Sequence, residues 1–240
     1  MKSFIRALGR EAESRAAALA TNRGGGTATL YFGGGTPSML SDTHLGHLME
    51  TLDRLVPVDK LDEFSFEANP ATFTEKKVRF WRSLGMTRVS LGVQSLDSGI
   101  LHLLGREHTP AQALHSVEML KNAGMPHINM DLMFAIPGQT LSIWEATLKE
   151  AVRAGTDHIS AYNLTYEEDT EFFRSLLRGE KRQDPDEDAA FFELAEHMLE
   201  AAGLRHYETS NYAREGCISP HNMAYWKGED YVGIGPGAVS

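Results

Sequence analysis

The most informative segment of this sequence is Thr29-Leu-Tyr-Phe-Gly-Gly-Gly-Thr-Pro37. The apolar run at 28–32 predicts a buried strand, and three glycines follow it, so no Cβ stands where a ligand would lie against the backbone. We expect the N–H groups of Gly34, Gly35 and Thr36 to point at a carboxylate or an amino acid head group. A plain flexible turn after a strand is the alternative, since a glycine motif alone is a weak indicator.

The composition is that of an ordinary globular protein with an acidic balance. The 240 residues include 23 basic and 33 acidic side chains, a formal net charge of −10, and 42% of them are hydrophobic. This charge argues against nonspecific binding to nucleic acid or to an anionic membrane. No run reaches the length of a transmembrane helix, and no apolar signal core follows Met1. The single cysteine, Cys217, excludes an intrachain disulfide, and we therefore expect a cytoplasmic protein.

Strand-like and helix-like segments alternate along the chain. The strand-like runs cover 28–32, 63–67, 87–93, 127–134 and 157–162. Strands that are separated by single helices run parallel with right-handed crossovers. Five of them predict a (β/α) barrel or part of one, and a doubly wound open sheet is the alternative that periodicity leaves open.

Start and stop signals mark several helices. A first helix is predicted over 3–20, before a glycine-rich loop at 22–26. The other signals are the N-terminal pairs Thr109/Gln112, Ser142/Glu145 and Asp184/Glu187 and the terminal glycines Gly124, Gly155 and Gly203. A further strand is predicted at 206–212, followed by a loop-rich aromatic tail.

Polar residues stand at the carboxyl end of every predicted strand, which is where parallel α/β folds bind ligands. They are Gly33 to Thr36, Glu67 with Asn69, Gln94 with Ser95, Asp131, and Asn163 with Thr165. Asp131 lies in an apolar run and needs the backbone, an Arg or a ligand as its partner, and Arg106 offers a bidentate clamp for a carboxylate. Each residue alone is typical of a structural position. Together they indicate a ligand with a carboxylate, an amine and hydroxyls, which S-adenosylmethionine fits well and a nucleotide or an amino acid fits in large part.

Six segments come in the order and spacing of a known family. They are Tyr31 to Ser38, Phe66 to Pro70, Leu91 to Asp97, Leu104 to His108, Asn129 to Met133 and Ile136 to Thr140. Over roughly residues 28–240 the chain resembles the oxygen-independent coproporphyrinogen III oxidase-like radical SAM proteins. Within them it looks most like the HemW-type heme chaperone branch.

The resemblance implies an α/β fold, a partial (β/α)6 radical SAM barrel that lacks its first strand. Residues 1–180 would form the barrel core, and residues 181–240 the last barrel helix and the start of a C-terminal α+β extension. By position, Gly34 and Glu67 fall on one S-adenosylmethionine site of the family. The second such site falls on Gly35, Thr36, Gln94, Arg106 and Asp131.

The tail is similar to a segment that the heme chaperone branch uses to handle heme or porphyrin. The resemblance thereby implies heme contacts at His221, Asn222, Tyr225 and Trp226. The sequence favours a loop histidine packed on Trp226 over an axial iron ligand.

The family's cysteine loop for a [4Fe–4S] cluster has no counterpart here, where Cys217 stands alone. Without three thiolates we expect this chain to be incompetent for radical chemistry. A truncated family member is favoured over a degenerate homologue, and strand 28–32 would then have an unpaired apolar edge that predicts poor solubility or partial folding.

Four functions follow from these expectations. The first is an incomplete heme chaperone whose intact parent binds S-adenosylmethionine and a cluster, and delivers heme to an acceptor protein. The second is an oxygen-independent coproporphyrinogen III oxidase of porphyrin biosynthesis. The third is a cluster-free module that binds S-adenosylmethionine or heme, and the fourth is an unrelated β/α enzyme with Glu67 and Asp131 as acid and base.

Overall fold

The computed structural model describes residues 1–17, 27–164 and 185–240. Two compact units divide the chain. The first comprises 1–90, 118–126 and 219–240, and the second comprises 91–117 and 127–218. The domain boundary expected between residues 180 and 181 lies outside the described residues and stays a prediction.

Strands and helices alternate over most of the described residues. The strands are β1 Thr29–Phe32, β2 Glu63–Ala68, β3 Arg88–Gln94, β4 His127–Phe134, β5 His158–Asn163, β6 Arg205–Glu208 and β7 Asn211–Ala213. The α-helices are α1 Lys2–Ser14, α2 Asp42–Leu55, α3 Glu75–Ser83, α4 Ser98–Leu103, α5 Pro110–Asn122, α6 Leu141–Ala154, α7 Pro185–Ala201 and α8 Pro220–Trp226. Two short 3-10 helices cover Pro37–Met39 and Val58–Lys60. The first five strands confirm the five strand-like runs to within a residue or so at each end.

The first unit is built on the parallel pair of β1 and β2, in which Thr29 lies opposite Glu63. Phe66 on β2 is fully buried, and its ring lies 4.8 Å from that of Trp81 on α3. This packing joins the strand to the helix that follows it, as the alternation predicted. The predicted end of the first helix and the loop at 22–26 fall on residues 18–26, outside the described ranges.

The second unit contains a parallel pair, β4 and β5, with Asn129 opposite His158. Antiparallel β7 pairs with the other edge of β5, and β6 pairs with β7. The single strand expected at 206–212 is therefore wrong. The polar residues Thr209 and Ser210 form a turn that splits the run into a hairpin.

Side-chain caps fix where two helices begin. The capping box predicted at α5 is confirmed, because Gln112 Oε1 accepts from Thr109 N at 2.8 Å and Thr109 Oγ1 accepts from Gln112 N at 3.3 Å. The start predicted for α6 is wrong, since Thr140 caps it by accepting the Ile143 N–H at 3.3 Å. Ser142 lies in the first turn instead, with its hydroxyl 2.9 Å from that of Thr140.

The terminal glycines confirm the predicted helix ends. Gly124, Gly155 and Gly203 have φ values of 73°, 66° and 79°, in the left-handed region that glycine adopts most readily. Asp184, expected to open the long helix α7, lies outside the described residues. None of the helices in the described ranges combines the length and the apolar character that a membrane crossing requires.

Candidate functional site

The glycine loop after β1 has one crowded and two open positions. A Cβ on Gly33 would lie 2.6 Å from Glu67 Oε1 and closer still to the Tyr31 ring, so a larger residue here would displace one or both of these side chains. A Cβ on Gly34 or Gly35 would meet no atom of the described residues within 4 Å, and Gly34 has a φ of +88°. The loop therefore offers bare backbone beside open space at its second and third glycines.

Glu67, near the end of β2, places its carboxylate beside the glycine loop. Its carboxylate accepts a hydrogen bond from the Tyr31 hydroxyl and one from the backbone N–H of Gly34. Burial raises the pKa of Glu67 above its ordinary value, and these two hydrogen bonds oppose that rise. The Gly34 N–H, expected to face a ligand, thus meets a carboxylate of the protein itself.

Thr36 ties the glycine loop to the segment that follows β2. Asn69 Nδ2 donates to Thr36 Oγ1 at 3.2 Å, and the Asn69 N–H donates to Ser38 Oγ at 3.3 Å. The Ser38 hydroxyl lies 2.7 Å from that of Thr72. These bonds hold the two strand-end loops of the first unit together.

His221 lies on helix α8 and stacks on Tyr31, with ring centroids 4.7 Å apart and planes 3° apart. Its Nδ1 is 2.8 Å from Thr29 Oγ1, and Tyr225 meets it edge-on at 5.1 Å. Burial lowers the pKa of His221, and the charge of Glu63 partly offsets this, so the ring is neutral near pH 7.

The loop expected for His221 is wrong, and so is its expected packing against Trp226. Ser219 and Pro220 begin a helix here, because the Ser219 hydroxyl accepts the Asn222 N–H at 3.2 Å and proline suits the first helical position. Trp226, at the end of that helix, is 59% exposed.

A buried ion pair anchors α8 in the first unit. Arg88 Nε donates to Glu63 Oε2 at 2.6 Å, and the two side chains are 5% and 2% exposed. Ser219 Oγ donates to Glu63 Oε1 at 2.8 Å. The sequence analysis missed this pair, because a charge at either end of a strand is typical of a solvated strand terminus.

In the second unit, Gln94 ends β3 with a φ of +66°. Non-glycine residues rarely adopt this left-handed conformation, and such outliers cluster at functional sites. The unusual backbone therefore coincides with a residue that the sequence singled out.

Arg106 and Asp131 interact within the second unit. Burial lowers the pKa of Arg106, and the negative charge of Asp131 opposes that change. Asn129 Nδ2 donates to Asp131 Oδ1 at 2.7 Å. The charge of Asp131 thus acts on Arg106, the kind of partner that the sequence analysis considered, and Asp131 also accepts a hydrogen bond from an amide that it did not consider.

A chain of hydrogen-bonded polar side chains surrounds Asn129, the residue that donates to Asp131. His158 Nδ1 lies 2.6 Å from Asn129 Oδ1, and His158 Nε2 lies 2.8 Å from the Tyr207 hydroxyl. Asn129 Nδ2 also donates to Ser160 Oγ at 2.9 Å. These contacts fix the Asn129 amide, which in turn orients the Asp131 carboxylate.

Tyr162 lies near the same carboxylate. The Tyr162 residue is 41% exposed, but desolvation of its hydroxyl and the charge of Asp131 raise the pKa of Tyr162 to about 12, so its phenol stays protonated at neutral pH. No sequence signal marked Tyr162 or His158, because their partners come from other strands.

The predicted cofactor residues divide between the units. The first unit contains Gly34, Gly35, Thr36 and Glu67, and in it the Gly34 N–H donates to the Glu67 carboxylate. The second unit contains Gln94, Arg106 and Asp131, and in it the charge of Asp131 acts on Arg106. A cluster does not fit this chain, because one cysteine cannot supply the three thiolates that a [4Fe–4S] site of this kind needs.

Parallel β/α units with polar groups at the ends of their strands define the class as an α/β protein. Its fold matches a solved structure described as coproporphyrinogen III oxidase (HemN) from Escherichia coli, a radical SAM enzyme. The TM-score is 0.77 and the identity 22%, over 95% of this chain and 51% of that one. The family model described as "Radical SAM superfamily" matches residues 9–151, which is more than half of the sequence. The chain therefore belongs to that superfamily.

Curated relatives agree with this assignment. The heme chaperone HemW of Bacillus subtilis is 37% identical over 212 residues, 88% of this chain and 56% of that protein. A mitochondrial radical S-adenosyl methionine domain-containing protein 1 of Danio rerio is 37% identical over 211 residues, 88% of this chain and 48% of that protein. The chain thus spans about half the length of these relatives. The predicted resemblance and the partial radical SAM fold are confirmed.

Proposed function

We propose that this chain is the S-adenosylmethionine-binding part of a HemW-like radical SAM protein that acts in heme trafficking or insertion. The observation that carries the proposal is the glycine loop of β1, whose open backbone at Gly34 and Gly35 borders the half-buried carboxylate of Glu67. Similarity to HemW proteins at 37% identity supports the heme chaperone branch. Likeness to the oxidase structure, at 22% identity, supports the fold alone.

The first-unit residues suit the amino acid part of S-adenosylmethionine. Glu67 accepts two hydrogen bonds in the structure, and a ligand ammonium is a stronger donor to a carboxylate than a tyrosine hydroxyl. Gly35 and Thr36 present backbone N–H groups to a ligand carboxylate.

The second-unit residues, taken by themselves, offer the donors and acceptors that a ligand of this class requires. Asp131 accepts and Gln94 both donates and accepts, which matches ribose hydroxyls. Arg106 supplies a fork of donors for a carboxylate. S-adenosylmethionine provides the adenosyl and methionine groups to be recognised, and since the chain supplies no cluster thiolates, we propose binding and no radical chemistry for it.

Heme binding at α8 is a second proposal, favoured by the anchoring of His221. An iron-ligating histidine commonly has its other ring nitrogen hydrogen-bonded, and His221 Nδ1 lies 2.8 Å from Thr29 Oγ1. This leaves Nε2 for iron. The half-exposed rings of Tyr225 and Trp226, at 49% and 59%, offer apolar faces to a porphyrin, and Asn222 adds a polar group beside them.

The partners and location follow as proposals. A heme-accepting protein is the partner that the HemW-like function requires. We propose a cytoplasmic location from the single cysteine, although the matched relatives of Danio rerio, Mus musculus and Bos taurus are named mitochondrial.

Calorimetric titration of the 240-residue chain with S-adenosylmethionine tests the main proposal. We expect saturable binding that weakens more than tenfold in Glu67→Gln and in Asp131→Asn, each of which removes a charge with little change in shape. Exposed Glu75→Gln on α3 is the matched control and should bind as the wild type does. Equal affinity in all four folded proteins, or no binding by any, would refute the assignment.

A hemin titration tests the second proposal separately. We expect a Soret band that is lost in His221→Ala and kept in His47→Ala, which removes an exposed histidine of α2. If adding hemin produces no Soret band with the wild type or with His221→Ala, His221 is not an iron ligand.

A further inference from the structure

Three metal-ligating side chains meet in the second unit, near the first residues of β4 and β5. His127 opens β4, Asp157 directly precedes β5, and Cys217 follows β7. One ligand atom of each, the imidazole nitrogen, a carboxylate oxygen and the thiol sulfur, lies within 4.8 Å of the other two. We propose that His127, Asp157 and Cys217 bind a divalent transition-metal ion such as Zn²⁺.

The backbone brings these donors together independently of any ion. The Ile128 N–H donates to Asp157 Oδ1 at 2.7 Å, and the Arg214 N–H donates to the Asp157 carbonyl at 2.9 Å. The Cys217 N–H then donates to the Arg214 carbonyl at 3.0 Å, which closes a turn. Gly216, with a φ of +79°, gives that turn its shape. These hydrogen bonds between β4, β5 and the segment after β7 therefore place the three ligands close together before any ion binds.

The donor types select the class of ion. Nitrogen, oxygen and sulfur ligands together suit zinc and similar borderline ions, with metal–ligand distances of about 2.0–2.3 Å. Magnesium and calcium prefer sets made of oxygen alone. A thiolate and a carboxylate together carry the two negative charges that neutralise a divalent ion. Three protein ligands leave the fourth position of a tetrahedral site for water or a further ligand.

Metal binding changes two proton positions. His127 Nδ1 and Asp157 Oδ2 are 2.6 Å apart in a direct hydrogen bond. For Nδ1 to bind metal, the ring proton moves to Nε2, so the neutral imidazole keeps its proton count. Cys217 loses its thiol proton to solvent as sulfur binds, so one proton is released for each ion bound.

The burial of the three residues is compatible with an ion reaching them from solvent. The side chains of His127 and Asp157 are 33% and 19% exposed, and Cys217 is half-buried. None of the residues proposed for S-adenosylmethionine or heme belongs to this group, so the inference stands apart from the proposed function. The competing interpretation is a purely structural histidine–aspartate pair with Cys217 as a bystander.

Cobalt(II) absorption of the full chain tests the site, because the sequence contains a single cysteine. Any thiolate-to-cobalt charge-transfer band must arise from Cys217. We expect one equivalent of Co²⁺ to give this band, with an intensity per chain that does not depend on protein concentration, and Zn²⁺ to displace it. Cys217→Ser should abolish the band.

The other two ligands are tested with shape-conserving variants. His127→Gln and Asp157→Asn preserve hydrogen-bonding capacity, and each should weaken the apparent Co²⁺ affinity more than tenfold. His47→Gln, on the exposed face of α2, controls for adventitious histidine binding and should leave the titration unchanged. A missing charge-transfer band in the folded wild type, or full affinity in both His127→Gln and Asp157→Asn, would overturn the proposal.

Discussion

At the scale of single residues, the proposed cofactor residues include one carboxylate in each unit, and each carboxylate accepts a hydrogen bond from a neighbour in its own unit. Asp131 was found from sequence because a charged residue inside an apolar run is unusual, and Glu67 was found because it stands at the polar end of a predicted strand. Their neighbours Tyr31 and Asn129 were not singled out, because a tyrosine or an asparagine on a strand has many ordinary roles. Their hydrogen bonds join residues from different segments and become visible only in the folded chain.

The raised pKa of Glu67 predicts a pH dependence of stability. The folded protein holds the Glu67 proton at pH values where the unfolded chain has lost it. The stability from this group is therefore full below the ordinary pKa and is lost as the pH rises through the raised value. Wild type should lose stability relative to Glu67→Gln across that window, measured by urea unfolding at a series of pH values. A gap between the two proteins that is independent of pH would contradict the assignment.

The Glu63–Arg88 pair predicts a large effect from one substitution. Arg88→Met leaves the 2% exposed Glu63 carboxylate without its cation, which typically destabilises a protein by about 3–5 kcal/mol. Arg79→Met is the control, since Arg79 pairs with Glu75 at 3.1 Å on the surface and should cost less than about 1 kcal/mol. Similar unfolding midpoints for the two variants would show that the buried pair does not carry this weight.

At the scale of elements, most strands and helix ends were predictable because each is encoded locally. Strand-like runs of five to eight residues marked β1 to β5, and glycines, which the structure shows with left-handed φ values, marked the ends of α5, α6 and α7. The errors arose where two local signals competed. Thr140 and Ser142 both suit a cap, and Thr209-Ser210 formed a turn without the glycine or proline that usually announces one.

The cap of α6 can be tested directly. Thr140→Ala removes the acceptor of the Ile143 N–H and should cost about 1 kcal/mol of unfolding free energy. Ser142→Ala, in the first turn, should stay within about 0.5 kcal/mol of wild type. Chemical denaturation of both variants measures the difference, and the reverse order would restore Ser142 as the cap.

At the scale of the whole molecule, the chain is a partial radical SAM protein that spans about half of its curated relatives. Its family was predictable because six short motifs keep their order. How the side chains of each unit are paired was not, since those contacts join residues far apart in sequence. The apolar edge expected at β1 and its effect on solubility stay predictions.

The affinity of two glycine variants for S-adenosylmethionine distinguishes a cofactor-binding loop after β1 from a plain turn. Gly34 and Gly124 both have left-handed φ values, +88° and +73°, and a Cβ on either would meet no described atom within 4 Å. Alanine therefore imposes similar backbone strain at both, and only Gly34 borders Glu67. We predict that Gly34→Ala weakens binding more than tenfold while Gly124→Ala binds as the wild type does. Wild-type affinity for S-adenosylmethionine in folded Gly34→Ala would contradict a cofactor-binding site at the glycine loop.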